Sequence, residues 1–145
     1  MKPVSELFNN RTGNSSTLWS VSPDDTVFDA IKVLAERGVG ALIVMQKGKL
    51  VGIVSERDYT RKIALHGKNS REVLVKEIMT ADVLVVSPHT RTHECMAIMS
   101  ENKIRHLPVL DGDTVIGMLS IRDLMDDIIA AHEFTISQLE SYIKG

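Results

Sequence analysis

One phrase occurs twice in this chain, and it constrains the fold more than any other feature. Residues 52–60 read GIVSERDYT and residues 117–125 read GMLSIRDLM, so Gly-x-x-Ser-x-Arg-Asp recurs after 65 residues. The same interval, without a gap, places Ser22-Pro23 on Ser87-Pro88. An ungapped match of this extent indicates a structural duplication. Two copies of one supersecondary unit should therefore account for most of the chain.

Each copy has the same order of predicted elements. A short apolar run ends at Ser-Pro, a stripe of helical period follows, and two strand-like runs joined by a tight turn lead into a second helix at the repeated phrase. The predicted strands are 18–21, 41–45 and 50–54 in the first copy, and 83–86, 107–110 and 115–119 in the second. Each copy thus reads β-α-β-β-α, a mixed α/β (α+β) fold class.

The domain organisation follows from the size of the unit. About 60 residues bury too little surface to be stable alone, so we expect two repeats packed face to face around one shared core, as a pseudo-twofold module. The predicted boundaries are an N-terminal segment 1–17, a first repeat 18–66, a linker 67–78, a second repeat 79–127 and a C-terminal helix 128–145. The apolar residues of that helix should cover a face of the module or pack on another copy; they are Ile129, Phe134, Ile136, Leu139 and Ile143.

Composition argues against several kinds of partner. Hydrophobic residues make up 43% of the 145 residues and the formal net charge is −2, which indicates a globular protein without broad attraction to nucleic acid. No segment approaches the roughly 20 apolar residues of a membrane span, and the N-terminus lacks a signal-peptide pattern. The one cysteine, Cys95, excludes an internal disulfide and favours a reducing, cytoplasmic location.

The repeated phrase has two interpretations. Ser55-x-x-Asp58 and Ser120-x-x-Asp123 fit a helix capping box in its aspartate form, and capping alone could explain them. An arginine lies in the first helical turn each time, where a cation opposes the helix dipole at a cost of about 0.3–1 kcal/mol. Its repetition favours an anionic ligand, because a helix N-terminus beside an arginine suits phosphate. Serine, arginine and aspartate together match a ribose phosphate.

The same residues carry a resemblance to a known family. The paired phrase, the β-α-β-β-α repeat, Ile78-Met79-Thr80 and the run IRHLPV (Ile104 to Val109) resemble a tandem pair of CBS domains, named after cystathionine β-synthase. The resemblance extends from about Val4 to Asp127 and is closest to small stand-alone CBS-pair proteins. It implies a disc-like regulatory module with two clefts that bind AMP, ADP, ATP, NAD or S-adenosylmethionine.

The resemblance also implies the residues of each cleft, with the aspartate on the ribose and the base against the partner repeat. The first cleft should contain Ser55, Arg57, Asp58, Met79, Thr80, Ile104, Arg105 and His106. The second should contain Leu18, Trp19, Val39, Gly40, Ala41, Ser120, Arg122 and Asp123. Arg105 and His106 match family positions that often face phosphate, and the first repeat has Gly40 and Ala41 there. The first cleft should therefore hold phosphate better.

Other reactive residues are better explained by structure. His89-x-x-x-His93 with Cys95 resembles a zinc set, but no fourth ligand is apparent, so we expect no metal. Nothing in the sequence pattern places a base beside the Cys95 thiol, which aligns with an apolar core position. Trp19 could be a half-buried platform or an aromatic wall for a base. No catalytic residue is predicted.

Three functional hypotheses follow. The first is an adenine-nucleotide sensor, with AMP the preferred ligand, that signals to an unknown protein partner by conformational change. The second is a structural or dimerisation module without a physiological nucleotide, and the resemblance implies a homodimer in both cases. The third, an enzyme, ranks last because there is no nucleophile–base pair, no Walker lysine loop and no metal cluster.

Overall fold

The computed structural model describes residues 2–9 and 18–144. The elements in chain order are α1 (Val4–Asn9), β1 (Ser20–Val21), α2 (Val27–Arg37), β2 (Ala41–Gln46), β3 (Lys49–Ser55), α3 (Glu56–Tyr59), α4 (Val75–Ile78), α5 (Thr92–Asn102), β4 (His106–Asp111), β5 (Thr114–Ser120) and α6 (Ile121–Lys144). A π-helical turn, Thr60–Ala64, continues α3. The mixed helix and strand architecture predicted from the repeat is confirmed.

The two antiparallel hairpins show the duplication in their register. Ala41 of β2 pairs with Ser55 of β3, and His106 of β4 pairs with Ser120 of β5, so the pairing repeats after 65 residues. Both hairpins also shift register at the corresponding position, between Val44 and Met45 in the first. Each hairpin therefore delivers its Ser-x-Arg-Asp phrase from the end of its second strand into a helix.

The strands predicted at 18–21 and 83–86 are wrong in extent. Only Ser20 and Val21 form a strand, parallel to β2, and only Val86 bridges to Val109 of β4. In the second copy the amide of Val83 is used in a local turn, where it donates to the carbonyl of Ala81, and not in strand pairing. The residues left outside the sheet at 18–19 and 83–84 are those that line the clefts described below.

The core is divided, so the single shared core expected from the sequence is wrong. One buried cluster is built on the first repeat and includes Val75 and Ile78 of α4, the helix that precedes the second repeat. The other cluster is built on the second repeat and includes Val4 and Leu7 of α1, the helix that precedes the first. Each short helix thus completes the core of the repeat that it does not introduce. This crossing connects the repeats into one unit.

The glycine that opens the repeated phrase is explained by this packing. A Cβ atom at Gly52 would lie 2.5 Å from Sδ of Met79 and 3.0 Å from the carbonyl oxygen of Thr80. A Cβ atom at Gly117 would lie 2.8 Å from the ring of Phe8, at the end of α1. Gly52 therefore lets the residues after α4 lie directly on the first hairpin, and Gly117 lets the end of α1 lie directly on the second.

Thr92 places a polar side chain in the second core. Its side chain is 1% exposed, and its Oγ1 is the one buried side-chain oxygen without a hydrogen-bond partner among the described residues. The corresponding residue of the first repeat is Val27, equally buried. Thr92→Val should therefore raise the free energy of unfolding by about 1–3 kcal/mol, since an unsatisfied hydroxyl is removed at nearly constant volume. Urea denaturation measures the change. Val27→Thr is the matched control and should lower the free energy of unfolding. A Thr92→Val variant that is less stable than the wild type would show that the hydroxyl has a partner.

Candidate functional site

The two serine–aspartate pairs form the capping boxes that their spacing predicts. Ser55 donates its amide to Oδ2 of Asp58 at 2.9 Å and accepts the amide of Asp58 on Oγ at 3.2 Å. Ser120 and Asp123 make the same two bonds at 2.8 and 3.2 Å. Oδ1 of Asp58 is 3.4 Å from Nζ of Lys62. Capping therefore occupies one carboxylate oxygen of Asp58 and directs the other toward a cation.

Each capping box lies at the wall of a cleft formed with the other repeat. The first cleft, of about 500 Å³, brings together all the residues predicted for it except Met79, which packs on Gly52 instead. The second, of about 420 Å³, brings together all the residues predicted for it. Both volumes lie in the range of small-molecule sites. The structure thus places the two candidate sets in two separate concave surfaces.

Four of the described residues line both clefts. They are Gly40, Ala41, Arg105 and His106. The carbonyl of Gly40 accepts the amide of Glu56 at 3.1 Å, and the carbonyl of Arg105 accepts the amide of Ile121 at 2.8 Å. The family resemblance implied a different cleft for each pair and, from that, a better phosphate site in the first cleft. Both pairs line both clefts, so they do not distinguish the two sites, and the phosphate preference stays a prediction.

The clefts differ in charge because of cationic residues that lie outside the two predicted sets. The first cleft adds Arg61, Lys62 and Lys103 to Arg57 and Arg105, and its acidic residues are Glu56, Asp58 and Asp82. The charged residues of the second are Arg105, Arg122 and Asp123. Lys103 ends α5 with a left-handed φ of 54°, at the position where Gly38 ends α2 with a φ of 64°. Exchanging glycine for lysine at this cap adds a cation to the first cleft only.

The apolar walls of the clefts correspond in the two repeats. Leu18 and Trp19 line the second cleft, and Val83 and Leu84 line the first, again 65 residues apart. Val83 and Leu84 were not predicted for the first cleft, although the 65-residue interval applied to Leu18 and Trp19 gives them directly. Trp19 is half-buried, and the guanidinium of Arg37 lies 3.9 Å from its ring centroid. One face of the indole is therefore covered by a cation of its own chain.

His106 has an unusual electrostatic setting. Burial lowers the pKa of its imidazole below the ordinary value, with Arg105 acting in the same direction and Asp123 and Glu56 opposing. As the pH falls, His106 is therefore protonated in the unfolded chain before it is protonated in the folded one. The stability that this histidine contributes is fully present above about pH 6.5 and is lost as the pH falls below it. Replacing His106 by asparagine should reduce the fall in melting temperature between pH 7.5 and 5.5. An unchanged pH dependence in this variant would contradict the assignment, with His89→Asn as the control.

Other candidate chemistries find no support in the geometry. Cys95 is fully buried, and burial raises the pKa of its thiol to about 11, which leaves it a weak nucleophile at neutral pH. Within residues 2–9 and 18–144, no group of three or more His, Cys, Asp or Glu side chains is placed to hold a metal ion. No helix in this part of the chain has the length and hydropathy needed to cross a bilayer.

Comparison with known proteins gives one consistent result. The family model of the CBS domain matches residues 14–65 and again residues 75–130. A solved structure of a protein with CBS domains from Burkholderia ambifaria MC40-6 is 46% identical, with a TM-score of 0.86 over 89% of this chain and 95% of that one. The mitochondrial CBS domain-containing protein CBSX3 of Arabidopsis thaliana is 39% identical over 93% of this chain and 68% of its own length.

A more distant structure contains ligands. The CBS domain pair of protein MJ0100, crystallised in complex with 5′-methylthioadenosine and S-adenosyl-L-methionine, is 22% identical, with a TM-score of 0.78 over 90% of this chain and 98% of that one. At this identity the match shows a shared fold.

Proposed function

We propose that this chain, which belongs to the CBS-domain family as a tandem pair, is a regulatory module that binds adenine nucleotides in the clefts between its repeats. The observation that carries the proposal is the pair of open clefts. Each cleft has the aspartate of a capping box and an arginine at a helix N-terminus. Ligand binding changes the packing between the repeats, and a protein partner responds to that change. The adenosyl ligands of the MJ0100 pair support this ligand class.

The residues have distinct roles in the proposal. Asp58 and Asp123 accept hydrogen bonds from the ribose hydroxyls, because a carboxylate is the strongest acceptor available for two neighbouring hydroxyl groups. Arg57 and Arg122 face the phosphate beside the helix N-termini. Leu84 and Trp19 provide apolar surface for the base in the first and second cleft. No group of the protein has to donate or remove a proton, so no catalytic step is proposed.

The two clefts differ in the ligands they favour. The first has five cationic and three acidic residues in its lining, from which we infer a preference for ligands rich in phosphate, such as ADP, ATP or NAD. The second has two cationic and one acidic residue, which suits AMP or S-adenosylmethionine. Of these ligands AMP is the one that both clefts can hold, because its single phosphate needs only one arginine.

The residues shared by the two clefts provide a route for regulation. A ligand in either cleft contacts the strand ends at Gly40–Ala41 or Arg105–His106, which also form a wall of the other cleft. Binding at one site can therefore alter the other, in proportion to its differential affinity for the two arrangements. The partner that responds is a protein, and the buried, unpaired Cys95 is consistent with a cytoplasmic location.

A thermal melt tests the proposal. The nucleotide-stripped protein is melted with AMP, ADP, ATP, NAD, S-adenosylmethionine and GMP. A ligand at about 100 times its Kd stabilises the folded state by about 2.7 kcal/mol. For a chain of this size that raises Tm by roughly 5–11 °C. We expect such a rise with adenosine ligands and not with GMP.

The second candidate is an interaction module with empty clefts. The capping bonds favour it, because they account for serine and aspartate without a ligand. A flat melt with all six ligands, together with a stable homodimer, would establish this function instead. The homodimer itself is part of both proposals.

A further inference from the structure

From Met125 onward, α6 carries an apolar stripe that no residue in the described part of the chain covers. Leu124 is 1% exposed and holds the start of the helix on the second core. Its neighbour Met125, about 100° further round the helix, is 49% exposed. From Met125 onward, four more large aliphatic side chains of α6 are 51–81% exposed; they are Ile129, Ile136, Leu139 and Ile143. The helix therefore leaves the module with a bare apolar side.

The spacing of this stripe is that of a coiled coil rather than of a helix lying on a globular core. Steps of four, three, four, three and four residues connect the six positions, which are Met125, Ile129, His132, Ile136, Leu139 and Ile143. This is the heptad alternation of a and d positions, with isoleucine at each a position and Leu139 at a d position. β-branched residues at a are typical of parallel dimers, and the other two d positions are Met125 and His132.

We propose that the stripe from Met125 to Ile143 is a homodimerisation surface, which pairs in register with the same stripe of a second copy as a parallel two-stranded coiled coil. A second copy fits because the stripe is complementary to itself, each apolar side chain meeting its equivalent. This deepens the homodimer proposed above by naming its interface, and it does not depend on nucleotide binding.

Charge selects the parallel orientation. The e positions beside the stripe are all acidic, namely Asp126, Glu133 and Glu140, and the g positions are Ile128, Thr135 and Tyr142. In an antiparallel pair the e positions of the two helices face each other, which would oppose carboxylates along the whole seam. In a parallel pair e faces g, so each carboxylate meets an uncharged side chain. His132, at the central d position, then faces its own counterpart and fixes the register.

Sedimentation equilibrium on the full chain tests the interface. Ile136→Asp places a charge in the seam, whereas Gln138→Asp places the same residue on the same exposed helix outside it. We expect Ile136→Asp to raise the dissociation constant of the dimer at least tenfold and Gln138→Asp to leave it within about twofold. A monomeric wild type, a trimer, or an equal effect of the two variants overturns the proposal.

Cross-linking tests the orientation. Ile129→Cys alone and Ile143→Cys alone should each form a disulfide-linked dimer under mild oxidation, because equivalent residues meet in a parallel pair. Cross-linking only in a mixture of the two variants would show an antiparallel pair and overturn the proposed geometry. The unsubstituted chain is the control, since Cys95 is fully buried. The nucleotide-induced rise in Tm is measured on Ile136→Asp as well. If this variant keeps the rise, the clefts are intact and the change in dimerisation belongs to the stripe alone.

Discussion

Replacing Asp58 by asparagine is expected to weaken nucleotide binding at the first cleft by about one to two orders of magnitude. The proposed ribose bonds are to a charged acceptor, and bonds to charged groups contribute about 1.5–3 kcal/mol, of which each 1.4 kcal/mol is tenfold in affinity. Asparagine keeps an oxygen that can accept the amide of Ser55, so the cap survives in large part. Isothermal titration calorimetry with the ligand that gives the largest thermal shift measures the change.

Asp123→Asn is the matched control, since it makes the same substitution in the other capping box. Each variant should lose affinity at one cleft and retain the binding event of the other. Circular dichroism should show a folded protein for both. Wild-type affinity in both variants for every nucleotide would reduce Asp58 and Asp123 to helix caps and contradict the site assignment.

Truncating Ile78 to alanine is expected to destabilise the whole module by about 2–5 kcal/mol and to lower Tm by roughly 4–20 °C. Ile78 is 3% exposed and lies on α4, which completes the core of the first repeat. Because α1 completes the other core in the same way, both repeats should still unfold in a single transition. Calorimetry with intrinsic tryptophan fluorescence measures this, since Trp19, the sole tryptophan, packs on the first core.

Leu7→Ala, in the corresponding helix, is the companion variant and should lower the same single transition. Two resolved transitions, with the second repeat melting at the wild-type temperature in Ile78→Ala, would show that the repeats are independent domains. A fall in Tm seen by Trp19 fluorescence but not by calorimetry of the second repeat would also show independent domains.

The repeat made most of the fold predictable. The ungapped 65-residue interval predicts both hairpins and both strand-to-helix junctions, because strand pairing depends on local turns and on alternating burial. The packing of α1 on the second core and of α4 on the first could not be predicted in the same way. The sequences VSELFN and VKEIMT correspond at an interval of 71 residues, and the choice of which core each helix completes depends on tertiary packing.

The candidate clefts were predicted in part for the same reason. Residues carried by the repeated phrase lie where the pattern indicates, since capping determines their local geometry. Lys103 was missed because a cation at a helix C-cap is ordinarily read as a surface residue. Met79 was assigned to a cleft through the family resemblance, whereas the bare backbone of Gly52 gives its side chain a packing site. Arg105 and His106 line both clefts because of how the two repeats pack together, and no local sequence pattern shows that placement.

A crystal structure of the protein grown with AMP would distinguish nucleotide binding from helix capping alone. We expect AMP in at least one of the two clefts, with both ribose hydroxyls within hydrogen-bonding distance of the carboxylate of Asp58 or Asp123 and the phosphate beside Arg57 or Arg122. Empty clefts at millimolar AMP, or AMP bound away from both aspartates, would contradict this expectation.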